Sequence, residues 1–167
     1  MDIRFEPVQT AEEINAMCTL AAEIWQEHFT PILEPGQVPY MVEKFQSVPA
    51  VTKQIQEGYE YRLITVDGEP AGYTGFHPDG NGKLFLSKLY VHKSFRGTGL
   101  ARKAFTYLQE RCREEGLSAI WLTVNRFNTN TIQIYRHLGF TVIREEKADI
   151  GNGYYMDDYI MEVPVSE

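Results

Sequence analysis

Leu89-Tyr90-Val91-His92-Lys93-Ser94-Phe95-Arg96-Gly97-Thr98-Gly99-Leu100-Ala101 is the stretch that decides the fold. An apolar strand ends, a short basic loop follows, and two glycines open a helix. Glycine lets a backbone come close to a ligand. The unpaired N–H groups of a first helical turn, with the helix dipole, favour an anion such as a pyrophosphate. Arg96, Arg102 and Lys103 add positive charge at the same end of the helix. The segment is not a Walker A loop, because no Gly-Lys-Ser/Thr follows. Nor is it a dinucleotide fingerprint, since the third glycine would fall at Arg102. A plain capped helix start is the competing reading, and these residues alone leave both open.

Upstream, residues 59–66, 71–77 and 83–92 read as a three-stranded meander. Its turns are Asp67-Gly68-Glu69-Pro70 and Asp79-Gly80-Asn81-Gly82. Residues 3–8 read as a first strand. Thr10 with Glu13 is a capping box, and Ile14, Met17, Cys18, Ala21, Ile24 and Trp25 then follow at helical spacing. Pro31, Pro35 and Gly36 break the chain, and residues 37–58 predict one or two short helices split near Pro49. Downstream, residues 98–115 predict a helix with Leu100, Ala101, Ala104, Phe105, Leu108 and Cys112 on one face. Residues 118–124 are nearly continuously apolar, as in a strand covered on both faces. A helix over 130–138 ends with Gly139 at its C′ position. Residues 140–148 and 154–163, joined through Gly151-Asn152-Gly153, close the chain as a hairpin.

The expected order is β-αα-βββ-α-β-α-ββ. It describes one α/β domain over 1–167, a mixed and mostly antiparallel sheet of about seven strands with helices on both faces.

Composition bounds the partners. The chain has 167 residues, 43% hydrophobic and 23% charged, with a net charge of −7. A nucleic-acid binder would need a basic face, so nucleic acid is not expected. An acidic surface suits a cationic small molecule, and equally serves solubility. Cys18 and Cys112 form no metal spacing or disulfide framework. His28, His77, His92 and His137 are scattered, so no metal is expected. No basic segment leads into an apolar run at the N-terminus, and no stretch approaches 18 apolar residues. The expectation is a cytoplasmic protein with no membrane contact.

A second signal is Leu122-Thr123-Val124-Asn125-Arg126-Phe127-Asn128, followed by Tyr135 and Leu138-Gly139-Phe140. Asn128 and Asn130 can each cap the helix. Tyr135 shares a helix face with Ile132 and Leu138, so a core tyrosine is one reading of it.

Together the two signals resemble the GNAT N-acetyltransferase superfamily. The family's cofactor signature Q/R-x-x-G-x-G/A is met by Arg96, Gly99 and Ala101. Leu89-Tyr90-Val91 looks like its bulged fourth strand. The later pattern is met by Asn128, Thr131, Ile132, Tyr135, Gly139 and Phe140. The resemblance implies an acetyl-CoA-dependent enzyme that holds the pantetheine arm in a wedge between its fourth and fifth strands. Backbone groups at Leu89, Tyr90 and Val91 would meet the arm. Amides over Arg96, Gly97, Thr98, Gly99, Leu100, Ala101 and Arg102 would bind the pyrophosphate. Asn128 would contact pantetheine. Tyr135, near the sulfur, would protonate the thiolate, and a strand N–H near Val91 would stabilise the oxyanion.

The matching place for a family glutamate base looks like Phe85, with Ser87 on the same face. A water relay, Glu27, Glu34 or Asp149 are the other routes. Residues 28–45 and the closing hairpin would line the acceptor pocket, with Glu34, Glu43, Asp149, Asp157 and Asp158 as carboxylates. Asp157 and Asp158 alternate along a strand, so at most one faces it. The hairpin text, residues 149–159, is similar to the bacterial polyamine (spermine/spermidine) acetyltransferase branch. The acceptor would be a small cationic amine. The alternatives are acetylation of a peptide amine, N-terminal or lysine, and a non-catalytic acyl-CoA-binding module. The closing hairpin also offers an edge for a homodimer.

Overall fold

The computed structural model describes residues 1–166. The elements run β1 (Ile3–Pro7), α1 (Ala11–Phe29), α2 (Gln37–Phe45), α3 (Val48–Gln56), β2 (Glu60–Val66), β3 (Glu69–Pro78), β4 (Leu84–Val91), a 3-10 turn (Lys93–Phe95), α4 (Leu100–Glu115), β5 (Ala119–Asn125), α5 (Thr129–His137), β6 (Thr141–Gly151) and β7 (Tyr154–Pro164). The strands form one mixed sheet in the order β1-β2-β3-β4-β5-β7-β6. β4 runs parallel to β5, with Leu84 opposite Ile120 and Phe85 opposite Trp121. The ladders β1–β2, β2–β3, β5–β7 and β6–β7 are antiparallel.

The chain divides into two units. The first holds residues 1–77 and 88–101. α1 starts as its sequence dictates. Thr10 Oγ1 accepts from the Glu13 N–H at 3.2 Å, and Glu13 Oε1 accepts from the Thr10 N–H at 2.9 Å. Residues 37–58 form two helices, and the break near Pro49 falls at Gln46–Ser47. Ser47 caps α3 through the Ala50 N–H, and Pro49 sits in its first turn. Proline is tolerated there because that N–H has no helical partner.

A directed chain of hydrogen bonds crosses this unit's core. Trp25 Nε1 donates to Tyr73 Oη at 2.7 Å, and Tyr73 Oη donates to Gln46 Oε1 at 2.6 Å. Gln46 Nε2 donates to Tyr61 Oη at 3.3 Å, and Tyr61 Oη donates to Gln54 Oε1. It ties α1, α3 and the turn after α2 to β2 and β3, and each buried polar group gains the partner burial demands.

The strand start expected at Ala71 lies at Glu69. Asp67 (φ 52°) and Gly68 (φ 86°) alone make the turn, and Pro70 enters β3 beside a register shift, where its missing N–H is tolerated. At Gly72 a Cβ would stand 2.3 Å from the Tyr90 carbonyl oxygen. β3 and the end of β4 therefore approach too closely for any side chain at that position.

The second unit holds residues 78–87 and 102–167. Its apolar core includes Leu108, Ile120, Leu122, Phe140 and Met161, all nearly fully buried. β6 and β7 meet at a two-residue turn, Asn152 (φ 54°) and Gly153 (φ 80°), as an Asn-Gly pair favours. β6 is almost wholly exposed and carries Arg144, Glu145, Glu146 and Lys147 along the sheet edge.

Candidate functional site

β4 ends at Val91, and the chain turns at once. His92 Nδ1 accepts from the Ser94 N–H at 3.1 Å and starts the 3-10 turn. Thr98 Oγ1 donates to the Phe95 carbonyl at 2.5 Å. Gly97 (φ 79°) and Gly99 (φ 83°) are left-handed, with nothing within 4 Å of a Cβ at either. Backbone conformation, not crowding, calls for glycine at both. It also moves the helix start from Thr98 to Leu100, because residues in that region cannot continue a right-handed helix. Residues 96–99 are exposed, as are Arg102 and Lys103 in the first turn of α4. An open glycine loop, a helix N-terminus and two exposed cations fit a phosphate anion.

Arg96 stands differently from Arg102 and Lys103. Its guanidinium grips Glu27 with two bonds, 3.0 and 2.8 Å, and its Nε donates to the Val91 carbonyl at 3.2 Å. Arg96 thus fastens the loop to α1 and to the end of β4. The same pair engages both carboxylate oxygens of Glu27. The hydrogen bond from Arg96 holds its carboxyl below the usual range, so Glu27 takes up a proton poorly near neutrality.

The Tyr90 ring lies in an aromatic cluster, with centroids at 5.7 Å to Trp25, 5.9 Å to Phe29, 6.1 Å to His28 and 5.7 Å to Tyr73. Its side chain anchors β4 to α1. His28 is half-buried, and that burial lowers its pKa.

In the second unit, Asn128 occupies the N-cap position of α5 without a side-chain capping bond, and it is buried. Asn130 lies inside α5 and is exposed, so it caps nothing. Neither asparagine is explained by capping. Tyr135 is buried on the face it shares with Ile132, its ring 5.4 Å from Phe140. Burial pushes its phenol well above the ordinary value. It stays protonated throughout the physiological range.

Beside the β6–β7 ladder, Arg126 binds Asp157 at 2.7 Å and Glu145 at 3.0 Å and lies 5.2 Å from the Tyr159 ring. Asp158 is buried, and its Oδ1 has no hydrogen-bond partner. The alternation of β7 allowed one aspartate inward without saying which; the structure turns Asp158 inward and pairs Asp157 with Arg126. Asp149 accepts from the Gly151 N–H at 2.8 Å and shapes its own turn. The Phe85 ring packs tilted against Trp121, with centroids 4.4 Å apart, so the place of a strand glutamate is apolar.

Cys18 and Cys112 are free and buried, each thiol pushed up to about 11 by burial. Among the described residues no group of three or more His, Cys, Asp or Glu side chains could hold a metal. No helix among them is long and apolar enough to cross a membrane.

Residues 19–140 match the acetyltransferase (GNAT) family. An uncharacterized N-acetyltransferase from the pepI 3′ region of Lactobacillus delbrueckii subsp. lactis is 27% identical over 160 residues, 90% of this chain and 92% of that protein. The uncharacterized N-acetyltransferase YjgM of Escherichia coli is 33% identical over 88 residues, 51% of this chain and 53% of that protein. The crystal structure of the PaiA N-acetyltransferase of Thermoplasma acidophilum in complex with coenzyme A aligns with a TM-score of 0.81 at 18% identity, covering 98% of this chain and 99% of that one. That last likeness speaks for the fold.

Proposed function

The chain belongs to the acetyltransferase (GNAT) family, the acetyl-CoA-dependent N-acetyltransferases, and from that premise we propose that it acetylates a small cationic amine, such as a polyamine, with Tyr135 as general acid. The observation that carries the role of Tyr135 is the burial of its ring on α5 beside Phe140, a setting that raises the phenol's pKa. A phenol that stays protonated can donate to a leaving thiolate.

Acetyl-CoA supplies the activated acetyl group as donor substrate. The chain's own residues hold it. Backbone groups of Leu89, Tyr90 and Val91 take the pantetheine arm, with Asn128 as a further contact. The amides of Gly97, Thr98, Gly99, Leu100, Ala101 and Arg102 take the pyrophosphate. Arg96 acts here as a positioning residue, since its guanidinium is spent on Glu27 and Val91. A strand N–H near Val91 offers the oxyanion its donor. The whole chain, 1–167, works as one N-acetyltransferase domain.

The cationic acceptor is favoured by the net charge of −7 and by the carboxylates on the β6–β7 hairpin. The competing acceptor is a peptide amine. The test is release of free coenzyme A thiol from acetyl-CoA across a panel of polyamines, other small amines and peptides. Turnover of polyamines above peptides supports the proposal. Turnover confined to peptides replaces the acceptor, and binding of acetyl-CoA with no turnover on any amine indicates a non-catalytic module.

A further inference from the structure

β7 places two neighbouring aspartates in opposite surroundings. Asp157 is satisfied by Arg126 at 2.7 Å. Asp158, turned to the other face of the strand, is 9% exposed and keeps Oδ1 buried without a partner. Its cross-strand neighbours are Asn125 on β5 and Glu146 on β6. The Asn125 side-chain oxygen accepts from the Phe127 N–H at 2.9 Å. The cations nearby are engaged elsewhere: Arg126 with Asp157 and Glu145, and Lys147 at 5.1 Å from the Tyr155 ring. A buried carboxyl oxygen with no donor is costly, and native proteins seldom leave one without cause. The complement it lacks is a cationic N–H donor.

Resting on the amine-acetylation reading above, we propose that Asp158 receives the ammonium group of the acceptor and takes the proton that must leave before the nitrogen can attack. The ammonium brings three donors and a positive charge, matching both the orphaned oxygen and the acidic setting of Asp157 and Glu146. After the first proton passes to Asp158, the neutral nitrogen forms its bond to the acetyl carbon and the carbon–sulfur bond breaks. The sulfur leaves with the electron pair. The nitrogen sheds a second proton in becoming an amide, which balances the one the sulfur gains as thiol. The proton on Asp158 returns to solvent. Burial, and after it the charges of Asp157 and Glu146, pushes the Asp158 carboxyl up to about 6. It is therefore ionised at neutral pH yet a better base than a solvated aspartate. On the opposite face, Asp157 Oδ1 has found its partner in Arg126.

The experiment uses the full chain with spermidine as probe. Spermidine binding in the presence of coenzyme A is measured by calorimetry from pH 5 to 8, for the wild type and for Asp158→Asn. Acetyl transfer to spermidine is followed over the same range. Expected for Asp158→Asn are at least about tenfold weaker spermidine binding, a fall in kcat/KM of about a hundredfold or more, loss of the acidic limb of the pH profile, and unchanged acetyl-CoA affinity. In the wild type alone, spermidine affinity should fall as pH drops through about 6; this arm stands even if the variant does not fold. A variant that binds and turns over spermidine like the wild type overturns the role of Asp158 and leaves amine acetylation standing. A wild type that transfers acetyl only to peptides overturns the small-amine acceptor and the spermidine site at Asp158 with it, and one that neither binds spermidine nor acetylates any amine overturns acetylation as well.

Discussion

Removing one hydroxyl from Tyr135 separates chemistry from packing. Tyr135→Phe keeps the ring against Phe140. On its proposed role as general acid, kcat should fall by about a hundredfold or more, while acetyl-CoA affinity stays near that of the wild type. An unchanged chemical step in single-turnover kinetics would make Tyr135 a core residue. Asp158 yields a pH prediction. Its carboxyl is raised from the ordinary 3.8 to about 6, so the folded chain binds that proton more tightly than the unfolded chain. The stabilising contribution is therefore fully present below about pH 4 and lost as pH rises through about 6. Relative to Asp158→Asn, the wild type should lose about 1–3 kcal/mol between pH 4 and pH 7, read from urea midpoints at each pH. A constant gap would show that Asp158 does not titrate in that window. Sequence made Tyr135 visible because it stands at a fixed distance from Asn128 and before Gly139-Phe140. It could not choose between Asp157 and Asp158, since strand alternation assigns opposite faces without saying which face is inside. That choice came from Arg126, which lies 31 residues from Asp157 and captures it.

The loop before α4 and the hydrogen-bond chain behind β4 are testable as elements. Gly99→Asp puts a side chain at a φ of 83° and a negative charge where an anion is to sit. Acetyl-CoA affinity should fall at least tenfold, about 1.4 kcal/mol, on a variant shown to be folded. Affinity like that of the wild type would remove the phosphate role from this turn. Tyr73→Phe breaks the core chain in the middle. The Trp25 N–H and the Gln46 oxygen lose their shared partner, at a cost of about 1–3 kcal/mol. Denaturant unfolding checks this, and an unchanged midpoint would mean the chain is not a stabilising network. Most elements were legible because capping boxes, apolar periodicity and Asn-Gly turns are local signals. The errors fell at boundaries. α4 starts two residues late because two glycines are left-handed, and the strand expected to begin at Ala71 begins at Glu69 because Asp67 and Gly68 alone make the turn. Both depend on dihedral angles that residue types permit without imposing.

At the scale of the whole molecule, charge is the available lever. With a net charge of −7, a cationic acceptor is drawn by a field that salt screens. The apparent KM for spermidine should rise several-fold between about 20 and 300 mM salt, while kcat changes less. A KM indifferent to salt would remove long-range attraction from acceptor binding. Sequence alone determined the order of the strands along the chain, the GNAT resemblance and the glycine-rich turn before α4, because each is written in residues close along the chain. Tertiary structure decided which charges are spent and which remain. Arg96, read from the sequence as positive charge at the start of the helix, is bound to Glu27 69 residues away, and that pairing also lowers the basicity of Glu27. Asp158 is left without a donor because the strands beside it offer none to Oδ1. Local sequence fixes dihedral preference and periodicity, whereas the pairing and burial of a charge depend on partners far along the chain that only the folded state brings close.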